Sequence, residues 1–277
     1  VQHQTNPLKV TENEQHLIVA GVNFDYTFNK ADGQLYSMKY MGTELLKQGA
    51  QLNVWRAPLA NEQDDWTNPA VSISPRTEGY GRMVANAWYS IGLDKMKSKL
   101  ESFGVEKKAE NVIVSILETA LFGNSGREGF ENEMIYTISP NGEISLQHTI
   151  NPKGKMPMSL PRIGTKWIFD TQMQHVEWFG RGPQENYPDR KTGYRIGLFQ
   201  STVDAMFVPY LIPQDCGLRT DNHYVRLTNA EGIGIEFSAA TPFNFNCYNY
   251  STENLSKAKY TYDLIKSDGV TFNFDYQ

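Results

Sequence analysis

The sequence predicts an all-β fold, a large antiparallel sandwich with one or two short helices. Apolar and polar residues alternate in short segments, most clearly in 22–28 and 270–276, and a period of two is typical of strands with one buried face. Asp32-Gly33 and Asn141-Gly142 separate such segments, and these pairs favour tight hairpins. No internal repeat is visible, so a sandwich is favoured over a propeller or solenoid.

Taken in order, the chain begins with a polar segment, and the β pattern starts at His16. Residues 1–20 are therefore predicted to be a lead or linker, and residues 21–277 a single domain. Within that domain the alternation predicts strands at 22–28, 35–41, 52–58, 99–106, 111–120, 131–139, 144–148, 165–170, 176–179, 204–210, 223–229, 232–239, 244–250 and 270–276.

Two segments are predicted to be helical. Between residues 79 and 93, Met83, Ala87 and Ile91 recur at helical spacing with no proline inside, which indicates one or a few turns. A second short helix is expected at 252–258, with Thr252 as its N-cap.

Composition excludes several classes of function. The 277 residues have a net charge of −5 and a pI near 5.6, which argues against binding to a nucleic acid backbone. No apolar run is long enough for a membrane span. The five histidines lack metal-ligand spacing, so no metal or other cofactor is expected in this chain. Cys216 and Cys247 are expected to be buried free thiols.

The most informative stretch is 176–194, which reads VEWFGRGPQENYPDRKTGY. Its first residues are strand-forming, and glycines and a proline then end the strand. The polar loop that follows contains Glu185, Asp189 and Arg190. One interpretation is that these three residues pair with each other and with backbone groups and only order the loop. The other is that the loop contributes to a functional site, and the residues alone do not decide between the two.

The segment GRGPQENYPDRKTG within this stretch resembles the C-terminal sandwich domain of the large β-galactosidases of glycoside hydrolase family 2. Two other segments agree with that family in order and spacing. Residues 54–61, VWRAPLAN, resemble its Arg-Ala-Pro-x-x-Asn segment. Residues 208–221, VPYLIPQDCGLRTD, resemble its Pro-Tyr-x-x-Pro-Gln-Glu-x-Gly-x-Arg-x-Asp segment. The resemblance extends over most of the chain.

The resemblance implies a two-sheet antiparallel supersandwich like that of the galactose mutarotases. It also implies that this chain holds no catalytic acid or nucleophile, because the family's catalytic glutamates lie on a preceding (β/α)8 barrel, which needs about 250 residues of alternating strand and helix. The implied partners are the other domains of a retaining parent enzyme and its β-galactoside substrate. The family often uses Mg and Na in its barrel domain. The implied parent is bacterial, in the cytoplasm or the periplasm.

Transferred motif by motif, the resemblance also implies which residues lie at an interface or near the rim of the galactose pocket. They come from two polar loops: Arg56, Asn61, Glu62, Asp64, Trp66, Glu185, Asn186, Tyr187, Asp189 and Arg190. Two departures from the family pattern bear on this set. Ala60 stands where the family usually has an acid, and the chain stops at Gln277, before the family's glycine-rich segment with its sugar-facing tryptophan.

Two alternatives of other classes stay open. The first is a stand-alone carbohydrate-binding domain. The second is a mutarotase-like sugar epimerase, which needs a general acid and base, usually His with Glu, on the concave face of the sandwich. The spacing of the histidines and glutamates does not resemble the mutarotase pattern.

Overall fold

A computed structural model describes residues 7–63, 84–123 and 126–276 of the chain. The strands, labelled in chain order, are β1 (Lys9–Glu12), β2 (His16–Ala20), β3 (Phe24–Asn29), β4 (Leu35–Tyr40), β5 (Thr43–Glu44), β6 (Leu46–Asn53), β7 (Lys97–Lys108), β8 (Asn111–Leu121), β9 (Gly129–Ile138), β10 (Ile144–Lys153), β11 (Gly164–Phe169), β12 (His175–Gly182), β13 (Arg195–Thr202), β14 (Arg219–Thr228), β15 (Gly234–Tyr248) and β16 (Val270–Asp275).

The helices are short and lie between strands. They are α1 (Ala60–Gln63), α2 (Val84–Ser90), α3 (Val203–Met206) and α4 (Thr252–Lys257), with single 3-10 turns at Leu93–Lys95 and Thr261–Asp263. Of the two helices expected from the sequence, the second corresponds to α4. The first corresponds to α2 in its described part, and its residues 79–83 lie outside the described residues. The N-cap of α4 is Ser251, whose side chain accepts from the Asn254 N–H, and not Thr252 as expected.

The strand pairing confirms the all-β antiparallel fold. Hydrogen bonds divide the strands into a five-stranded sheet β1-β2-β3-β4-β5, a four-stranded sheet β10-β9-β8-β7 and a seven-stranded sheet β13-β12-β14-β15-β16-β11-β6. The sandwich is therefore built from three hydrogen-bonded sheets, where the sequence led us to expect two.

One apolar core is shared by all three sheets. Phe28 of β3 meets Tyr136 of β9 edge to face, with ring centroids 5.3 Å apart, and Phe169 of β11 meets Phe272 of β16 at 5.8 Å. All four residues belong to the same buried cluster. The alternating residues that predicted these strands are the ones that pack together, because each strand directs every second side chain to the same face.

Part of the segment predicted to be a lead is built into this core. β1 and β2 pair with each other and β2 pairs with β3, and Leu17 and Val19 are fully buried. Burial of these two apolar side chains stabilises the fold, and a linker exposed to solvent would lack this stabilisation. The division of the whole chain into a lead and one domain stays a prediction.

One strand prediction near the middle of the chain is wrong, and one strand there was not predicted. Residues 204–210, predicted to be a strand, form most of α3 and a loop, because Thr202 caps a helical turn by accepting from the Ala205 N–H. The strand β13, at residues 195–202, was not expected. The segments 232–239 and 244–250 were predicted separately and are largely one long strand, β15.

The seven-stranded sheet buries both of its faces at β16. Phe272 faces the apolar core, whereas Asn273 and Asp275 face the other way and are also buried. Loops that connect other strands cover this polar face. Among the described residues, no helix is long and apolar enough to cross a membrane.

Candidate functional site

The three sequence motifs, 54–61, 176–194 and 208–221, meet at one end of the seven-stranded sheet. The Asp215 N–H donates to the carbonyl of Ala57 at 3.2 Å, and the Ala60 N–H donates to the Gln214 side chain at 2.8 Å. These bonds join the first motif to the third. The Asn186 N–H donates to the carbonyl of Leu218 at 2.8 Å, which joins the second motif to the third.

Glu185 is the centre of the loop after β12. Its carboxylate is buried and accepts from the Arg190 guanidinium at 2.8 Å, from the Gly217 N–H at 2.8 Å and from the Tyr210 hydroxyl. Burial, followed by the bond to Glu185, raises the pKa of Tyr210 to about 12, so this hydroxyl keeps its proton as a donor. The carboxylate thus joins the loop to two points of the third motif.

Asn186 is fully buried and bonds with both ends of its amide. The side-chain oxygen accepts from the Thr220 N–H at 3.1 Å and from the Thr220 hydroxyl at 2.5 Å. The nitrogen donates to the carbonyls of Gln184 and Arg181 at 3.1 and 3.4 Å. Because these bonds use its donors and acceptors within the protein, Asn186 orders the loop.

Arg190 and Asp189 occupy the outer part of the loop, whereas Tyr187 is half-buried and its hydroxyl donates to the Asp215 carbonyl at 3.4 Å. The Arg190 side chain is half exposed and lies over the Tyr187 ring at 5.2 Å. Asp189 is exposed, and the acid that pairs with Arg190 is Glu185. An ion pair between Asp189 and Arg190, one interpretation of the sequence, is therefore wrong. The buried acid competes better for the guanidinium because protein groups, not water, surround it.

Arg56 and Glu62 form a paired unit in the first motif. The guanidinium donates to both carboxylate oxygens of Glu62, at 2.7 and 2.6 Å, and to the carbonyl of Pro161 at 2.9 Å. Glu62 also accepts from the Leu59 N–H at 2.8 Å. Both side chains are largely buried. Asn61, by contrast, is exposed and free to face a ligand or a partner. Asp64 and Trp66 lie outside the described residues.

A buried charged network beneath these loops was not expected from the sequence. Arg162 donates to Asp275 at 3.0 Å and to Asn246 at 3.3 Å, and its guanidinium lies 3.6 Å from Asp215. Burial raises the pKa of Asp275 to about 6, while the charge of Arg162 opposes that rise. No local spacing could indicate this network, since Arg162 and Asp275 are 113 residues apart in the chain.

These buried carboxylates hold the loops in place. Asp215 also accepts from the Asn246 amide at 3.2 Å, and the Tyr248 hydroxyl lies 3.4 Å from it. Asp215 and Asp275 converge on one guanidinium, yet both are more than 90% buried, so a glycosidic bond cannot reach them. Among the described residues, no group of three His, Cys, Asp or Glu side chains is arranged to hold a metal ion.

Both cysteines are buried free thiols, as the sequence predicts. Burial raises the pKa of the Cys247 thiol to about 12 and that of Cys216 further. Neither thiol is therefore suited to act as a nucleophile.

An exposed apolar surface lies next to the loop of Glu185. Leu211 is 83% exposed, Tyr262 80% and Ile265 75%, with Ile212 and Tyr260 also exposed. We call these five residues the aromatic patch. Its two halves are joined because Thr261 donates to the carbonyl of Tyr210 at 2.8 Å, and Tyr210 also donates to Glu185. Exposed apolar clusters of this kind often mark interfaces.

Comparison with known proteins gives consistent matches. The family model described as the β-galactosidase small chain matches residues 20–277. The β-galactosidase of Priestia megaterium is 33% identical over 270 residues, covering 98% of this chain and 24% of the relative. That of Pseudoalteromonas haloplanktis is 27% identical over 271 residues, which also covers 98% of this chain and 24% of the relative. That of Halalkalibacterium halodurans is 29% identical and covers 93% of this chain and 24% of the relative. The chain spans about a quarter of the length of these curated relatives.

Proposed function

The chain belongs to the β-galactosidase small-chain family, and from this premise we propose that it is a non-catalytic domain of a β-galactosidase that hydrolyses terminal β-galactosides. In this proposal the domain supports a barrel domain that holds the catalytic acid and nucleophile, and it shapes the rim of the galactose pocket. The observation that carries the proposal is that the chain matches β-galactosidases over nearly its full length while covering only about a quarter of theirs.

The chemistry of the described residues supports a role without catalysis. A retaining glycosidase needs two carboxyl groups about 5 Å apart at an open site, one of them free to be a nucleophile. The acids that the three motifs bring together already pair with other groups of the protein. Glu62 and Glu185 each pair with an arginine and accept a backbone N–H, and Asp215 is buried against Arg162.

The arrangement of the surface supports the rim and interface roles. Among the described candidate residues, Asn61, Asp189 and Arg190 are exposed, while Glu62, Glu185 and Asn186 are buried. The aromatic patch adjoins the same loops through Tyr210. A surface with polar residues beside exposed apolar ones fits a domain that packs on a neighbour and reaches a sugar at the edge of that contact.

The first experiment assays the isolated chain with a nitrophenyl galactoside, beside a boiled control. We expect no turnover above that control, because the two barrel carboxylates are supplied elsewhere in the parent enzyme. Turnover that persists through repurification would overturn the proposal.

The second experiment tests the rim role in the intact parent enzyme. Arg190→Ala should raise KM or lower kcat/KM severalfold, because Arg190 is exposed beside the proposed pocket. Arg226→Ala is the matched control, since Arg226 is equally exposed and also pairs with acids, but lies on β14. Equal KM and kcat/KM in both variants and the unmodified enzyme would show that Arg190 does not contribute to the rim.

The mutarotase-like alternative lacks a specific observation in its favour. A mutarotase-like epimerase needs a His and a Glu facing one substrate. The imidazole of His148 and the carboxylate of Glu118 both contact Asn132, and they do not contact each other. Mg and Na sites, if the parent enzyme has them, are proposed to lie in its barrel domain.

A further inference from the structure

A cleft opens between the edges of two sheets, and Val54 and Trp55, the first two residues of the motif 54–61, form part of its lining. It has a volume of about 690 Å³ and lies between β6, the last strand of the seven-stranded sheet, and β7, the last strand of the four-stranded sheet. The turn between β3 and β4 and the start of α4 complete its walls. This volume lies in the range of sites that bind small molecules.

Uncharged hydrogen-bonding groups are prominent in the lining. Gln34, Gln48 and Gln51 line the cleft, and each amide offers both donors and acceptors. The Asn53 amide also lies in the lining, but it is already bonded to Asn273 and to the Trp55 N–H. Trp55 adds indole surface to the wall. It is half buried and is held by edge contact with Tyr89, whose ring centroid is 5.1 Å away.

The lining has more acids than bases: it contains Asp32, Asp94, Glu118 and Glu253 against Lys99 and Lys166. Lys166 lies 3.9 Å from Glu253, and Glu118 is buried and accepts from the Asn132 amide at 3.0 Å. Such a lining does not favour a phosphate or another anion, which would require an excess of positive charge.

Two acceptor oxygens in this lining have no donor among the described residues. They are the side-chain oxygen of Gln34 and one carboxylate oxygen of Asp94, and both atoms are buried. Buried acceptors without partners are costly. Because both atoms are shielded from solvent, a ligand in the cleft does not reach them. A ligand rich in hydroxyl groups is indicated instead by the glutamine amides of the lining, which offer donors and acceptors together.

We propose that this cleft is a carbohydrate-binding site for a neutral mono- or disaccharide. The amides of β6 bind the hydroxyl groups, and Trp55 provides apolar surface for the C–H groups of a sugar ring. The site uses none of the residues proposed for the galactose rim, so it is a second site and does not depend on the proposed function.

Fluorine NMR of the chain labelled with fluorotryptophan tests this proposal. The chain has five tryptophans, and Trp55→Phe identifies the resonance of Trp55. Galactose, lactose and glucose are titrated separately, with tetraglycine as a peptide probe. We expect at least one sugar to shift the Trp55 resonance saturably, in the low-millimolar range, and tetraglycine to leave it unchanged.

Variants show where the sugar binds. Gln51→Leu and Gln48→Leu should each weaken binding at least fivefold, about 1 kcal/mol by the usual conversion. The control is Gln147→Leu, at an exposed glutamine of β10, which should bind as the unmodified chain does. Arg190→Ala is measured as well, to detect any sugar that binds at the proposed rim.

Three results would overturn the proposal. The first is no saturable shift with any sugar, and the second is a larger response to tetraglycine. The third is a loss of binding in Arg190→Ala with binding retained in both β6 variants, which would place the sugar at the rim instead. Because the readout is binding by the isolated chain, none of these results bears on whether the parent enzyme is a β-galactosidase.

Discussion

At the scale of single residues, Glu185 and Asp189 have opposite roles although both are acids of one loop. Glu185 is buried and accepts hydrogen bonds from Arg190, Tyr210 and the Gly217 N–H. Replacing it with alanine leaves these donors unpaired, so we expect Glu185→Ala to reduce the free energy of unfolding by about 3 kcal/mol. Asp189→Ala should change it by less than about 0.5 kcal/mol, as is usual for an exposed position.

Denaturant unfolding of the two variants and the unmodified chain measures the difference directly. Arg190→Ala is a useful third variant, because it removes only the exposed partner and should fall between the other two. A larger loss of stability in Asp189→Ala than in Glu185→Ala would show that the loop is ordered by a different set of contacts.

His148 makes stability depend on pH. Burial lowers the pKa of its imidazole from 6.5 to about 4. Its Nδ1 is 2.6 Å from the Tyr276 hydroxyl, while the other ring nitrogen contacts the Asn132 oxygen. The neutral ring satisfies both, since one nitrogen accepts from Tyr276 and the other donates to Asn132. The unfolded chain therefore binds the proton more tightly than the folded chain does.

The direction in which stability changes with pH follows from this difference in proton affinity. The stabilisation from neutral His148 is complete above the pKa of the unfolded chain, about 6.5, and it is lost as the pH falls towards 4. The loss amounts to about 2 kcal/mol at about pH 5. We expect the melting temperature to fall less between about pH 7.5 and about pH 5 in His148→Gln than in the unmodified chain. Identical pH profiles of the two proteins would contradict this account. Comparing the two chains removes the contribution of other groups, such as Glu118, whose pKa burial raises.

At this scale the sequence predicted the loops of the site better than the contacts within them. The three motifs were recognisable, and they do meet. The partners of Arg162 were not predictable, because Asp215 and Asp275 reach it from distant parts of the chain. The sequence also did not indicate that Arg190 pairs with Glu185 and not with Asp189. Burial, and not spacing, decides which acid binds the guanidinium.

At the scale of elements, strands with one apolar face were predictable and capped turns were not. The alternation in β16 gave its position almost to the residue. Val203, Phe207 and Val208 are strand-forming residues, so their segment was predicted to be a strand. The structure instead begins a helix there, because Thr202 bonds the Ala205 N–H. Local hydrogen bonds of this kind outweigh the weak preference of each residue.

The N-terminus of α4 provides a test of capping. The Ser251 hydroxyl accepts from the Asn254 N–H at 3.0 Å, so Ser251→Ala should reduce the free energy of unfolding by about 1 kcal/mol. Ser251→Asp should retain most of the stability, because a carboxylate also accepts this bond. Ser256→Ala, within the same helix, is the control. Equal stability of Ser251→Ala and the unmodified chain would show that the cap contributes nothing.

At the scale of the whole molecule, the seven-stranded sheet separates two interiors of different chemistry. One face packs on the apolar core shared by all three sheets. The other bears Asn53, Asn246 and Asn273, linked by amide hydrogen bonds of 2.9 Å, with Arg162 and Asp215 above them. A buried polar layer of this kind fixes the position of the loops that cover it, because any shift leaves polar groups without partners. The motif loops are thereby held rigidly on the sheet.

The aromatic patch gives the last prediction, which concerns how the chain sits in its parent enzyme and rests on the proposed function. Leu211, Tyr262 and Ile265 are each at least three quarters exposed, and burying them against a neighbouring domain would release water from apolar surface. We expect hydroxyl-radical footprinting with mass spectrometry to label Tyr262 and Leu211 strongly in the isolated chain and several times less in the intact parent enzyme. Tyr36, an exposed tyrosine of β4, is the control for general loss of labelling. Equal labelling of the patch in both proteins would show that the parent enzyme leaves this surface in water, and the interface would then have to be sought elsewhere on the domain.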